Sequence, residues 1–522
     1  MSTTGRVVLK IIGALGIVML ICCVTLTNGR AAGQGGQQQK QNDDNPNVTC
    51  PDVSLLSISN LQVSGIDALK RGIFGLPCDA QQEGPPKSPP DARKLQHGFD
   101  YYSWLTFIAL NSPKNGKLIS SETRPAWEDY KQLPDVMLPG GATPDGWTDD
   151  NLPHDKDDKA APCADKFKPG MMIVHMEMEE TYNEPFKSGP LFDQNGNYAL
   201  FTIFMNQQMF QYIKNHGLYS RVGQEEYPAD IDFPSADNAG GKLGAIMIKA
   251  SWKLMKPGVD FGSNVQSPRY HMVDALLYRP RSADSCRQVK LGLIGFHVGH
   301  KTVTRHQWIW TTFEHIKNVP TENQVNAPGG ISPDEQYSFY NPRCKECPIN
   351  QTPPGSWDPD TRGLWHPDAP GWVPFEHTSK FKSQIVRTGR SRIFPDEDDV
   401  KTFNDAFHAW PQISNTVWKN YNLINTQWPS DFSCSTNSNP GGLQNAVLPD
   451  ATCAPFPTFL ANTTLETFSQ PQQKSEITDK DQDEDQEVPL ATSSCISCHN
   501  NATTQHRPAK RSDFTFILEK AQ

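Results

Sequence analysis

The stretch Lys290-Leu291-Gly292-Leu293-Ile294-Gly295-Phe296-His297-Val298 decides the fold class of this chain. It is a short, nearly continuous apolar run and reads as a buried strand. Residues 244–255 read the same way, because Ile246, Ile248, Ala250, Trp252 and Leu254 recur at the two-residue period of a strand. Residues 191–201 place Asn195-Gly196 between two further short runs, the pattern of a hairpin turn. A calcium loop is the competing reading there, but the full ligand spacing is missing. Helical spacing of apolar residues predicts a helix over 98–111. One or two more are predicted over 403–428, where Phe407, Trp410, Ile413, Val417, Tyr421 and Ile424 recur at helical intervals. Residues 135–168 are rich in Pro, Gly and Asp and read as a long surface excursion. The fold class is therefore α+β: a large mixed domain of antiparallel strands, helices and long loops.

The run at 290–298 leads directly into His297, His300, His306 and His315, interleaved with Trp308 and Trp310. A sheet packing an aromatic core, with each histidine hydrogen-bonded, accounts for any one of them. As a set they form the best candidate surface to face a cofactor.

That cofactor is indicated near the other end of the chain by Cys495-Ile496-Ser497-Cys498-His499, the C-x-x-C-H signature for covalent attachment of a c-type haem. Two thiols at this spacing reach two vinyl groups of one porphyrin, and the adjoining His499 can offer its imidazole to the iron. A disulfide with an accidental histidine, or half a zinc site, leaves His499 unexplained or requires a second ligand pair. Residues 488–522 are too few to enclose a haem by themselves. The attachment segment is thus expected to dock on the large domain, with Phe514, Phe516, Ile517 and Leu518 of a short helix pinning it. No Met follows His499, and His506 is close to it in sequence. The first candidate for a distal iron ligand is His297, which ends a buried strand; His300 and His315 are alternatives, with Met176 and Met178 behind them. An empty or water-filled sixth site is an equal reading.

The remaining features concern compartment and partners. Residues 1–32 combine Arg6 and Lys10 with an apolar run and small polar residues, the pattern of an export signal that is either cleaved or kept as a membrane anchor. Residues 33–49 read as a flexible linker, 50–469 as the globular domain and 470–487 as an acidic disordered linker. Haem c is attached on the outer side of the bacterial inner membrane, so a periplasmic or extracellular location is expected. In that oxidising compartment Cys50, Cys78, Cys163, Cys286, Cys344, Cys347, Cys434 and Cys453 favour disulfides. Cys344-Lys345-Glu346-Cys347 lacks a following His, so a disulfide is favoured there over metal or redox work. A formal net charge of -10 argues against nucleic acid and allows a basic redox partner protein.

The chain resembles c-type cytochromes, and more widely a family of large bacterial single-haem cytochrome c proteins. The resemblance rests on Ser103-Trp104, Phe107-Ile108-Ala109-Leu110-Asn111, Gly295-Phe296-His297, Lys301-Thr302, Trp308-Ile309-Trp310 and Phe313-Glu314-His315. It continues through Ala461-Asn462-Thr463-Thr464-Leu465-Glu466-Thr467 and the segment from Ser494 to His499. The acidic insertion before the haem motif is longer than in that family. The resemblance implies haem binding and single-electron transfer and supplies no substrate. A haem enzyme of peroxidase or oxygenase type, or a haem-based sensor, is the alternative, since an electron carrier does not need so large a domain. No G-x-S-x-G, H-E-x-x-H or nucleotide loop specifies another reaction.

Overall fold

The two apolar runs at 244–255 and 290–298 become neighbouring strands at the centre of one mixed sheet. The computed structural model describes residues 89–114, 119–148, 166–175, 190–236, 243–261, 269–278, 286–302, 304–352, 382–388, 397–431, 434, 453, 455–457, 459–470 and 494–522. The expected export signal, the linker at 33–49, Cys50, Cys78, Cys163, Met176, Met178 and the acidic residues after Gln470 lie outside them. Among the described residues, no helix is long and apolar enough to cross a membrane. All of them belong to one unit, Pro46–Gln522.

The sheet has nine strands: β1 (Lys131–Gln132), β2 (Met172–His175), β3 (Leu200–Met205), β4 (Ile246–Leu254), β5 (Met272–Tyr278), β6 (Cys286–His300), β7 (Ile309–His315), β8 (Tyr421–Pro429) and β9 (Pro455–Phe456). Their order is β1-β3-β4-β6-β7-β8-β9, and every neighbouring pair along it is antiparallel. The long strand β6 organises the rest. One edge pairs with β4 from Leu291 to His300; the other takes β5 against its first half and β7 against its second. β2 lies parallel to β5 outside it. The helices used below are α1 (Pro89–Asn111), α2 (Gln207–Asn215), α3 (Glu397–His408) and α4 (Cys495–His499).

Alternation gives the central strands two unlike faces. One carries Ile246, Ile248, Ala250, Trp252, Phe296, Val298 and Phe313, all buried against Trp104, Phe107 and Ile108 of α1. The Phe107 and Phe313 rings stack at 4.1 Å, and Trp104 meets Phe313 edge-on at 5.0 Å. The opposite face is polar or small along its middle: Lys249 and Ser251 on β4, Gly295, His297 and Gly299 on β6, Thr312 and Glu314 on β7. This second face receives the C-terminal segment.

Three local expectations change. In 403–428 only the first part is helical, as α3 and a short turn at Pro411–Ser414; Tyr421 begins β8 instead. Pairing with β7 outweighs the helical spacing, because Tyr421 and Leu423 fill the core beneath the sheet. The hairpin at 191–201 is reduced to one antiparallel bridge, Phe192 to Tyr198, around an Asp193 side chain that accepts from the Asn195 and Asn197 amides at 2.8 and 2.9 Å. Only its second arm extends into a strand, β3. The stretch from 135 does not start on the surface: Val136 and Met137 are buried with Met205, Met209 and Phe210, and Leu138 is buried after them. Cys344–Cys347 and Cys434–Cys453 are disulfides, and Cys286 is disulfide-bonded as well.

Candidate functional site

The C-x-x-C-H residues form α4, a single turn whose start is capped by Ser494, which accepts from the Ser497 amide at 3.3 Å. Cys495, Cys498 and His499 stand at helical offsets of three and four, so one side of the turn presents all three. Both thiols are free. The turn is anchored by Gln427 of β8, whose Oε1 accepts from the Ile496 amide at 2.8 Å and from Ser494 Oγ at 3.3 Å. Ile496 is fully buried with Trp308, Trp310, Phe514, Ile517 and Leu518. Three of the four expected pinning residues therefore do pin the segment to the domain. Phe516 differs: it is half-buried and lies 5.1 Å from the His499 ring, with Trp310 at 4.4 Å.

His499 is oriented by a backbone atom. Its Nδ1 lies 2.8 Å from the Phe514 carbonyl, which can only accept, so Nδ1 carries the proton in the neutral ring and Nε2 keeps its lone pair. Nε2 has no hydrogen-bond partner among the described residues. Loss of solvation pushes the imidazole below its ordinary pKa, against the opposing effects of the Phe514 hydrogen bond and Glu466. The ring is thus neutral at neutral pH. Burial likewise raises both thiols, with Glu466 adding to it, so they are protonated and slow to oxidise.

The Phe514 carbonyl is itself held by a left-handed pair, Asp513 at φ 51° and Phe514 at φ 61°. Such a conformation costs about 1–2 kcal/mol per residue. The buried Asp513 carboxylate offsets it by accepting from Lys301 Nζ at 2.5 Å, the Phe233 amide at 2.7 Å and Trp308 Nε1 at 3.2 Å. Loss of solvation on burial pushes the Asp513 carboxyl above its ordinary range against the pull of Lys301, so only part of what these contacts supply is left to hold the kink. Lys301, at the end of β6, also pairs with Asp232.

Facing this turn on the polar side of the sheet are Lys249, His297 and Glu466. Lys249 and His297 are register partners on β4 and β6. His297 Nε2 is 2.8 and 2.9 Å from the two Glu466 oxygens, and its Nδ1 is 2.5 Å from Thr312 Oγ1. Although burial acts to raise Glu466, His297, Lys249 and the Asn462 amide bring it below the ordinary carboxylate range. The segment 461–467 is stitched down by Asn462 to Thr312 and Phe313, Thr463 to Glu314 and Thr464 to Ser251. Gly295 permits this approach: a Cβ there would meet Thr464 Oγ1 at 2.3 Å and Ser251 Oγ at 2.4 Å.

Of the expected distal ligands among the described residues, only His297 lies on this side; Met176 and Met178 lie outside them. His300 is three residues along the same strand and points to the other face, where Tyr102 and the Leu243 carbonyl take its two nitrogens. His315 is held by the Arg269 carbonyl at 3.0 Å and the Lys317 amide at 3.1 Å. Neither is brought to the site, because alternation and backbone contacts commit both rings to the core. Gln427, Lys249, Glu466 and Phe514 all stand in stretches that the sequence singles out, but their roles at this site are not legible there.

The residues at α4 fit a c-type haem: two free thiols and one neutral imidazole with an uncommitted nitrogen. Among the described residues, no three His, Cys, Asp or Glu side chains are arranged to hold a metal ion by themselves. Compared with protein-family models, curated proteins and solved structures, the chain matches none of them.

Proposed function

We propose that this protein is an exported, mono-haem c-type cytochrome that transfers single electrons to or from a redox partner protein outside the cytoplasm. The observation that carries this reading is the His499 ring: its Nδ1 is tied to the Phe514 carbonyl and its Nε2 is left open, beside two unpaired cysteines on the same turn. Cys495 and Cys498 would hold the group by thioethers, and His499 would be its proximal ligand. When bound, the haem supplies an iron that cycles between ferrous and ferric states.

This chain's own residues do the rest. The Phe514 carbonyl fixes the imidazole tautomer and raises its basicity as a ligand. Trp310 and Phe516 restrict the ring's rotation and exclude water beside it. Lys249 and the His297–Glu466 pair place a fixed set of charges opposite the turn, which tunes a redox potential.

A second reading is favoured by His297, whose nitrogens are both engaged by Glu466 and Thr312. In that arrangement it does not supply a sixth ligand, which supports an open distal position and a haem enzyme or diatomic-ligand sensor.

Expression with a haem c maturation system tests the attachment. Covalent addition of one haem, lost in the Cys495→Ser/Cys498→Ser double variant, is the expected result; an unmodified chain would sink it. Optical and paramagnetic resonance spectra then divide the two readings. Low-spin iron that ignores carbon monoxide supports the carrier, and high-spin iron that binds it supports the enzyme or sensor.

A further inference from the structure

At the other end of β6, about 30 Å along the strand from His297, lies a cleft of 690 Å³ that the haem reading does not use. Its volume suits a small organic molecule. One wall is apolar, with Met171, Met255, Phe261 and Met272. The polar part is built around His271 and Glu128, which are 6% and 8% exposed. His271 Nε2 lies 2.5 Å from Glu128 Oε1, and Arg124 holds the second Glu128 oxygen at 3.3 Å. The imidazole is stacked on Trp418 at 4.6 Å. A histidine oriented by a carboxylate that is oriented by a guanidinium is the arrangement that fixes a ring for recognition or proton transfer.

The second ring nitrogen, Nδ1, has no hydrogen-bond partner among the described residues, although His271 is nine-tenths buried and lines the cleft. This nitrogen is therefore the part of the ring left open to the cleft, where a ligand's donor can reach it. Charge indicates the ligand's sign. Four cationic side chains meet three carboxylates in the lining, leaving one positive charge. Arg124 is committed to Glu128 and Asp129, and Lys290 pairs with Asp274 at 2.5 Å. The exposed Lys168 ammonium has no partner among the described residues.

We propose that this cleft binds a small organic monocarboxylate, its carboxylate at Lys168, its apolar body along the methionine wall and its polar end hydrogen-bonded to His271 Nδ1. The site is independent of the haem segment. Titration of the intact protein with 4-hydroxybenzoate, 6-hydroxyhexanoate, succinate and inorganic phosphate, followed by calorimetry and by the ring ¹⁵N signals of His271, tests it. Saturable binding of one of the monocarboxylates, with a shift of the His271 signals, is expected. Lys168→Ala, an exposed change that leaves the fold intact, should weaken binding about tenfold, as one lost ion pair or about 1.4 kcal/mol would; His271→Gln should abolish it. The proposal is overturned if no monocarboxylate binds at millimolar concentration, if phosphate binds as tightly as the best of them, or if Lys168→Ala binds as wild type.

Discussion

The molecule contains two described C-x-x-C segments, and they have opposite fates. Cys344-Lys345-Glu346-Cys347 sits on an exposed turn and closes into a disulfide. Cys495-Ile496-Ser497-Cys498 has the same spacing, yet both thiols remain free. The difference lies in the surroundings. The first is flanked by charged side chains in solvent. The second is one helical turn whose Ile496 is sunk between Trp308, Trp310 and the C-terminal residues, and whose backbone is gripped by Gln427. Spacing therefore states what two cysteines can do, and packing decides which chemistry they are kept for.

The sharpest way to break the comparison is to exchange the losses. On the haem reading proposed above, Cys495→Ser with Cys498→Ser should remove covalent haem altogether, whereas Cys344→Ser with Cys347→Ser should leave haem content unchanged. Haem-stain intensity and intact mass would read both.

Next in size is the buried ion pair behind the second segment. Asp513→Ala removes the buried one of the two carboxylates that Lys301 pairs with and leaves it the exposed Asp232, which should cost about 3 kcal/mol in urea unfolding. Adding Lys301→Met should recover much of that, since it removes the buried charge. If the single variant is as stable as wild type, Asp513 does not support the Phe514 kink.

Acid probes the opposite face of the same sheet. Burial lowers His300 to about 4 and His315 to about 3. Their folded-state pKa values are depressed, so the unfolded chain takes up protons first. Stability present above about pH 6.5 should fall as pH drops toward 4, by about 3 kcal/mol for His300 alone. Urea midpoints across this range, compared with a His300→Gln variant of smaller slope, measure it.

Gly295→Ala would push the 461–467 segment off the sheet and should cost about 1–3 kcal/mol. The His297–Glu466 contact should be lost with it, visible as displaced His297 ring signals by NMR. The smallest effect belongs to the exposed disulfide. Its loop is so short that the chain-entropy estimate is about 2 kcal/mol, against about 3 kcal/mol for Cys434–Cys453, whose sequence separation is 19. Thermal unfolding of the two pairs of serine variants should rank them in that order.

Strands β4 and β6 and helix α1 were legible because each carries a periodic apolar pattern long enough to exceed its competitors. Tyr421 was misread because helical and strand spacing coincide over a few residues, and only the partner strand separates them. Cys495, Cys498 and His499 stand out as candidates for haem attachment because covalent chemistry demands fixed types at fixed spacing. The surroundings of His297 do not, since Glu466, Thr312 and Lys249 come from three other stretches of chain.

By itself, then, the sequence determined that the protein is α+β, that its C-terminal segment must lean on a larger domain, and which three residues could hold a haem. Tertiary structure alone decided which nitrogen of His499 stays open, which histidines are locked into the core, and that His297 is bound to Glu466. The physical reason is locality: periodicity and covalent spacing act between near neighbours in the chain. Hydrogen-bond partners and burial are set by segments that meet only after folding.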